Sequence, residues 1–266
     1  VKACTKLENR ECRVLWPEKH RRCQKEHTVL TVDDLKAMTG DNCGDCNSMV
    51  EPLNKALEEA LMSCPFRIAA FVAQVRHSTA GFTVFSNNEV AGAIHLTNDN
   101  FRIACRKIPD LKQAFVDKFT SCKERDTDPC SCGTNKRAAD VVAQLQYAFR
   151  VGVWWFYEGA SLAFGEPCGD LRLDADRGLG GAPVWTTRES PGVGFQKTTT
   201  CINGFGDTHG RQQQAEYFAL AIKHYPDAKP YDPDLLEGAS TAHAGPVVAV
   251  LTLLAAAAVQ FWHAAA

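Results

Sequence analysis

Residues 67–101 decide the fold, and they begin with R-I-A-A-F-V-A-Q-V-R-H-S-T-A-G-F. Apolar side chains recur there at positions i, i+3, i+4 and i+7, and these are Ile68, Phe71, Val72 and Val75. Because this spacing places four apolar side chains on one helical face, we predict an amphipathic helix. We expect the helix to carry His77 and Ser78 at its C-terminal end and to stop before Gly81, since glycine favours a helix end.

The stretch continues over residues 83–101 as T-V-F-S-N-N-E-V-A-G-A-I-H-L-T-N-D-N-F, in which A-I-H-L-T is predicted to be a brief extended segment. Apolar periodicity predicts further helices near residues 50–62, 108–119 and 138–157. The run T-V-D-D from Thr31 is typical of a capping box at the start of a short helix. The chain is therefore expected to be mainly α-helical.

Two local features of this helical pattern allow further predictions. Ser63 is a candidate N-cap for the helix that contains residues 67–78, and Pro65 suits its first turn. The helix over residues 138–157 has the most continuous apolar stripe and includes Trp154 and Trp155. We interpret both tryptophans as core residues, and the alternative is an aromatic platform for a sugar.

Three motifs in this order resemble those of the family 19 chitinases and the related phage endolysins. Residues 70–82 read A-F-V-A-Q-V-R-H-S-T-A-G-F, where the family has A-F-L-A-Q-x-x-H-E-[ST]-G-G-F. Residues 90–97 read V-A-G-A-I-H-L-T beside the family's G-R-G-x-I-Q-L-[ST], and residues 192–206 resemble its G-x-G-F…I-N-G-G motif. The resemblance covers residues 31–225 and implies a lysozyme-like helical bundle with a glycan-binding cleft, stapled by disulfides.

The resemblance also implies where catalysis would occur. Inverting glycosidases use one carboxylic acid to protonate the leaving oxygen and a second carboxylate to activate water. The acid position of the family corresponds to Ser78, so no catalytic residue is intact. Possible substitutes are Glu89, two residues beyond the position that corresponds to the family's base, and Asp207, at the acidic position of the third motif. Because both positioned groups are displaced, we expect impaired hydrolysis.

Five side chains are candidate glycan contacts on the same resemblance. His95 replaces the glutamine of I-Q-L, Thr97 is the family's Ser/Thr, and Asn100 is the asparagine that follows. Asn203 belongs to the intact I-N-G, and His77 precedes the lost acid. The alternative for His77 is a partly buried histidine that bonds to the backbone or to a tyrosine.

Composition and cysteines limit the class of protein. The 266 residues are 45% hydrophobic and carry a net charge of −2 with acids and bases interspersed, so a nucleic-acid partner is not expected. Twelve cysteines, an even number, indicate disulfides and an extracellular or cell-surface location. A zinc site of Cys43, Cys46, Cys130 and Cys132 is an alternative with poor spacing. No cofactor and no metal are predicted.

Four segments are predicted along the chain. Residues 1–27 form a basic arm whose cysteines Cys4, Cys12 and Cys23 tie it to itself or to the domain, and residues 28–228 form the chitinase-like domain. A linker over residues 229–245 leads to an apolar tail at 246–266. Small residues, a polar spacer and an uncharged apolar end are typical of a GPI-attachment signal, and the alternatives are a membrane anchor and an ordinary terminal helix.

Three functions follow from these observations. The first is a chitinase-like protein without efficient hydrolysis that binds a GlcNAc-containing glycan or a cell-surface protein, held at the membrane by the tail or a GPI lipid. The second is an active, divergent chitinase or muramidase that uses Glu89 or Asp207. The third is an interaction module whose cleft binds no sugar.

Overall fold

Helices form most of the described chain, which confirms the prediction of a mainly α-helical protein. A computed structural model describes residues 23, 26–87, 89–123, 128–180, 187, 190–204 and 210–231. These residues all belong to one compact unit that ends at Tyr231. Asp207, the apolar tail at 246–266 and most of the arm and the linker lie outside the described residues.

The elements follow one another in a nearly all-helical order. The helices are α1 (Val32–Thr39), α2 (Cys46–Glu59), α3 (Pro65–Ser78), α4 (Asn98–Lys107), α5 (Pro109–Lys118), α6 (Thr120–Lys123), α7 (Asn135–Val142), α8 (Leu145–Trp154), α9 (Ala160–Phe164), α10 (Leu171–Asp176), α11 (Gly194–Asn203) and α12 (Arg211–Ile222). Two short strands, β1 (Val90–Ala91) and β2 (Leu96–Thr97), pair antiparallel, with Val90 opposite Thr97. A π-helical turn, Trp155–Gly159, connects α8 to α9.

Helix α3 lies at the centre of the fold. Residues 67–75 are all buried, including the four apolar residues of the predicted stripe. Helix α12 packs along α3 in the opposite direction, because Phe66 contacts Phe218 and His77 contacts Gln213. Pro65 occupies the first turn as predicted, but the N-cap is Cys64 and not Ser63. Cys64 is the extended residue directly before the helix, with φ of −129° and ψ of 153°, so it occupies the N-cap position without a capping side-chain bond.

The capping box of α1 is present as predicted. The backbone N–H of Asp34 donates to Oγ1 of Thr31 over 3.1 Å, and the N–H of Thr31 donates to Oδ2 of Asp34 over 2.7 Å. Gly40 ends the helix in the left-handed conformation, with φ of 59°. The capping box could be predicted from local sequence because the residues that form it lie within one helical turn of each other.

The single helix predicted for residues 138–157 is wrong. Gln144 is extended, with ψ of 130°, and separates α7 from α8. The apolar stripe continues across this break because both helices bury the same side, so periodicity does not reveal it. Trp154 and Trp155 are each 1% exposed, which confirms the core interpretation and excludes the sugar platform for both. Their indole N–H groups donate to Glu158 and to the carbonyl of Cys201.

Disulfides tie these elements together. The described pairs are Cys23–Cys64, Cys43–Cys46, Cys105–Cys130 and Cys168–Cys201. Cys132 is also disulfide-bonded. The zinc alternative is therefore wrong, because Cys43 and Cys46 are bonded to each other and Cys130 and Cys132 are each in a disulfide as well. Several disulfides fit an extracellular protein. Among the residues that the structure describes, no helix is long and apolar enough to cross a membrane.

Candidate functional site

The end of α3 is shaped by a tight turn. Thr79 follows the helix, and its hydroxyl donates to the carbonyl of Val75 over 2.6 Å while accepting the N–H of Phe82 over 2.8 Å. Gly81 has φ of 77°, and a Cβ at this position would lie 2.1 Å from Oδ1 of Asn42. The glycine of the motif is therefore required by the close approach of the loop before α2. This turn fixes where the last residues of α3 point.

Ser78 is the last residue of α3 and is partly buried. Its hydroxyl makes no hydrogen bond with any described residue. No aspartate or glutamate occurs between Cys64 and Glu89, so the helix end has no carboxylate of its own. A serine hydroxyl is far too weak an acid to protonate a glycosidic oxygen at neutral pH. Ser78, at the position that corresponds to the family's catalytic acid, therefore cannot act as a general acid.

His77 is held by a side-chain amide. Its Nδ1 lies 3.2 Å from Oε1 of Gln213, and since an amide oxygen only accepts, Nδ1 donates. Gly210 lies against the ring, because a Cβ there would be 2.5 Å from Cε1 of His77. The histidine is partly buried as the alternative proposed, but this partner is neither backbone nor tyrosine. The start of α12 thus sets the orientation of the imidazole.

A buried chain of side-chain hydrogen bonds connects α3, α11 and α12. Nδ2 of Asn203 donates to Oε1 of Gln214 over 3.1 Å, and Nε2 of Gln214 donates to Oε1 of Gln74 over 3.0 Å. Nε2 of Gln74 then donates to Oγ1 of Thr199 over 2.8 Å. Gln74 and Gln214 are both 0% exposed. We call these four residues the amide relay.

The amide relay leaves one atom of Asn203 available. Because Nδ2 is used by Gln214, the side-chain oxygen Oδ1 has no hydrogen-bond partner among the described residues. Asn203 is partly buried, so this oxygen is an acceptor at the edge of the packed interior. An acceptor of this kind suits the hydroxyl and N–H donors of a polar ligand.

We call residues 84–97, which include β1 and β2, the hairpin. Main-chain hydrogen bonds hold it, among them the N–H of Gly92 to the carbonyl of Phe85 over 2.9 Å. Oδ1 of Asn87 accepts the N–H groups of Glu89 and Val90 over 2.9 and 3.0 Å. The side chain of Glu89 is exposed, and its carboxylate makes no hydrogen bond or ion pair with any described residue. Nothing in the described part therefore positions Glu89 as an acid or a base.

His95 lies in the turn between the two strands. Its φ is 51°, so it is left-handed, and only Leu96 and Thr97 of the segment predicted to be extended form a strand. Nε2 lies 2.7 Å from the carbonyl oxygen of Val84 and donates to it. Burial lowers the pKa of His95 below its ordinary value, although the bond to Val84 opposes this. The neutral ring presents Nδ1 as an acceptor.

Thr97 and Asn100 lie at the beginning of α4. Thr97 is exposed and is the N-cap, but its side chain makes no capping hydrogen bond. Asn100 is partly buried in the first turn. Neither side chain bonds to another residue that the structure describes. Both are consequently available to a ligand, without being positioned by neighbours.

Contacts within the described part bring some of the predicted residues together and not others. Helix α12 joins His77 and Asn203, through Gln213 and Gln214 respectively. No side-chain hydrogen bond or ion pair of the described residues links Glu89, Thr97 or Asn100 to this pair. No group of three or more His, Cys, Asp and Glu side chains in the described part could hold a metal ion.

Sequence reasoning missed Gln74, Gln213 and Gln214. A usable signal existed for Gln74, which lies inside A-F-V-A-Q, where a polar residue interrupts a run of buried positions. A glutamine buried in this way must find partners, because an unpaired amide in the interior is costly. The run R-Q-Q-Q at the start of α12 gives no comparable signal, since two of its three glutamines are exposed.

A groove on another face contains none of the predicted residues. It has a volume of about 640 Å³ and lies between α2, the start of α5 and the start of α8. Arg150 forms part of its wall and bonds to Glu59 over 2.8 Å and to Asp110 over 2.7 Å. Two charges of its lining, Arg150 and Asp110, are therefore paired with each other.

The resemblance to the family rests on three motifs only. The match is best in residues 70–82, where the helix and its turn are held by the contacts described above. It is incomplete at Ser78, at Ala91 in place of the family's arginine and at His95. Comparisons of the chain with models of protein families, with curated proteins and with solved structures gave no match.

Proposed function

We propose that this protein is a chitinase-like protein of the extracellular space or the cell surface that has lost efficient hydrolysis and binds a glycan containing N-acetylglucosamine. One observation carries the proposal. At the end of α3 the acid position is Ser78, while the polar side chains of His77 and Asn203 nearby are held in fixed orientations by α12. The site has kept polar groups that can contact a ligand and lacks the group that would cleave it.

The loss of hydrolysis follows from the missing acid. Inverting glycosidases need two carboxyl groups about 6.5–9.5 Å apart, one on each side of the scissile bond. Residues 65–88 contain none, and Glu89 is exposed on the hairpin without a positioning contact among the described residues. Each positioned acid or base accounts for about 10²–10⁴-fold in rate, so the absence of either leaves little turnover.

Binding does not depend on the acid. Sugars are held by hydrogen bonds to hydroxyl and acetamido groups and by apolar contact with ring faces. Two acceptors are suited to this role, Oδ1 of Asn203 and Nδ1 of His95, and neither has a partner in the described part. Thr97 adds an exposed hydroxyl at the start of α4. These groups support glycan binding by a protein that does not turn it over.

The test is hydrolysis of a chitin hexamer by the full chain, by the Ser78→Glu variant and by Ser78→Gln as the matched control. Wild type is expected to be silent, and Ser78→Glu is expected to gain at least about 10²-fold in rate because it restores a carboxyl group at the acid position. Ser78→Gln has nearly the same size and no acid, so it should remain silent. Calorimetry with the same hexamer should detect binding by wild type.

Two results would replace the proposal. Turnover by wild type that disappears in Glu89→Gln would identify an active, divergent glycosidase. A folded protein that binds no N-acetylglucosamine oligomer, with Ser78→Glu also silent, would identify an interaction module whose partner is a protein.

A further inference from the structure

The amide relay couples the direction of the Asn203 amide to those of two buried glutamines. Gln74 and Gln214 each use both their NH₂ group and their oxygen within the relay. Reversing the Asn203 amide alone would place its oxygen against Oε1 of Gln214 at about the present 3.1 Å, with no hydrogen between them. Two buried acceptors in contact lose a hydrogen bond and repel each other. Asn203 can therefore reverse only if the glutamines reverse with it.

We infer that Gln214 is a positioning residue that holds Asn203 with Nδ2 inward and Oδ1 outward, so that the site offers a fixed acceptor to an N–H donor of the ligand. The chemical group that fits is the acetamido N–H of a 2-acetamido sugar, whose direction is set by the amide plane. The ligand half of this inference rests on the proposed function. The positioning half concerns the protein alone.

The preference for an acetamido group has a physical basis. A fixed oxygen accepts from a fixed N–H without any rotation of either group, whereas a 2-hydroxyl must give up rotational freedom to donate in the same direction. An asparagine that could flip would bond to donors and acceptors alike, because it would present either Nδ2 or Oδ1. Loss of the relay should therefore lower selectivity more than it lowers affinity for sugars in general.

The experiment compares four forms of the full chain: wild type, Gln214→Leu, Gln214→Glu and Gln212→Leu. Gln214→Leu removes the acceptor for Asn203. Gln214→Glu restores it when the buried carboxyl group is protonated, because its carbonyl oxygen then accepts from Asn203 while its O–H donates to Oε1 of Gln74. Gln212→Leu is the matched control, since Gln212 is an exposed glutamine of the same helix whose side chain bonds to Glu216 over 3.0 Å and lies outside the amide relay.

The first readout needs no ligand. The side-chain NH₂ resonances of Asn203, followed by ¹⁵N NMR, should move toward those of exposed asparagines in Gln214→Leu, with faster hydrogen exchange. They should stay near the wild-type values in Gln214→Glu and Gln212→Leu. An Asn203 amide that is unchanged in Gln214→Leu would overturn the inference, whatever the protein binds.

The second readout is the ratio of dissociation constants for cellohexaose and the chitin hexamer, which share a β-1,4 glucose backbone and differ at C2. Wild type should prefer the chitin hexamer, and the preference should fall by about tenfold in Gln214→Leu and recover in Gln214→Glu. An undiminished preference in Gln214→Leu would overturn the selective role. If wild type binds neither sugar while the NMR changes occur, the proposed function and the ligand half fail and the positioning of Asn203 is supported.

Discussion

The amide relay and the hairpin both carry residues that the resemblance assigns to a ligand site, but they are built in opposite ways. In the relay, polar side chains from three helices bond to one another, three of them buried and Asn203 partly buried, and the Cys168–Cys201 disulfide anchors α11 close by. In the hairpin, main-chain hydrogen bonds hold the backbone, and Glu89 and Thr97 extend into solvent. No cysteine occurs between Cys64 and Cys105 to staple it.

This difference teaches where substitution is tolerated. A buried amide cannot be replaced without leaving its partners unpaired, so the identity of each relay residue is tied to stability. An exposed side chain on a hairpin has few partners to lose. On the hairpin this applies to Glu89 and Thr97, which are exposed, and not to His95, which is partly buried and bonds to the carbonyl of Val84.

The largest effect should come from the disulfide that anchors the relay. Replacing both Cys168 and Cys201 with alanine frees a loop with a sequence separation of 33 residues, which should lower the free energy of unfolding by about 4 kcal/mol. Urea denaturation measures this. The matched control is the Cys43→Ala/Cys46→Ala pair, whose separation of 3 residues predicts about 2 kcal/mol. Equal losses in the two variants would contradict the loop-length explanation.

Replacing a single residue of the amide relay should lower the free energy of unfolding nearly as much as removing the disulfide. Gln74→Leu removes a donor and an acceptor and leaves Nε2 of Gln214 unpaired in the interior, so we expect a loss of about 2–3 kcal/mol in the free energy of unfolding. Glu89→Gln on the hairpin is the comparison and should change it by less than about 0.5 kcal/mol. A loss below about 1 kcal/mol for Gln74→Leu would mean that the relay is not tightly packed.

The third and smaller predicted change in stability concerns the backbone of the hairpin at His95. His95 has a positive φ of 51°, which costs a residue with a Cβ about 1 kcal/mol relative to glycine. His95→Gly should therefore be more stable than His95→Ala by about this amount, because both variants lack the imidazole and differ only in backbone freedom. Chemical denaturation of the two variants side by side gives the difference. A more stable alanine variant would show that the turn is not left-handed.

The smallest effect should be a dependence of the free energy of unfolding on pH that comes from His95. Burial lowers the pKa of His95 below 6.5, so the unfolded state takes up the proton first as the pH falls. The stability contributed by the neutral ring is present above pH 6.5 and is lost as the pH falls toward the folded-state pKa. His95→Asn, which tolerates a positive φ, should remove this slope.

NMR titration checks the same statement directly. The Cε1 proton of His95 in the folded protein should titrate with a midpoint below 6.5. Other titrating groups are common to wild type and His95→Asn, so they cancel in the difference between the two stability curves. A midpoint above 6.5 would mean that the bond to Val84 outweighs the effect of burial.

Much of the local structure could be predicted from the sequence. The capping box at Thr31, the stripe of α3 and the core role of Trp154 and Trp155 depend on neighbours within a few residues or on hydrophobicity alone. The break at Gln144 could not be predicted, because its neighbours continue the same apolar period on both sides. The absence of a carboxylic acid at position 78 could be read from the sequence, since it depends on the chemistry of one side chain.

The sequence by itself determined a mainly helical, disulfide-containing chain, because helix periodicity and cysteine content are properties of short segments and composition. Only the tertiary structure decided which cysteines pair and which polar side chains are held. Gln74 meets Gln214 across 140 positions of sequence, and Asn203 meets Gln214 across a change of helix. Such partnerships arise from the packing of α3 against α11 and α12, and no local pattern of residues contains that information.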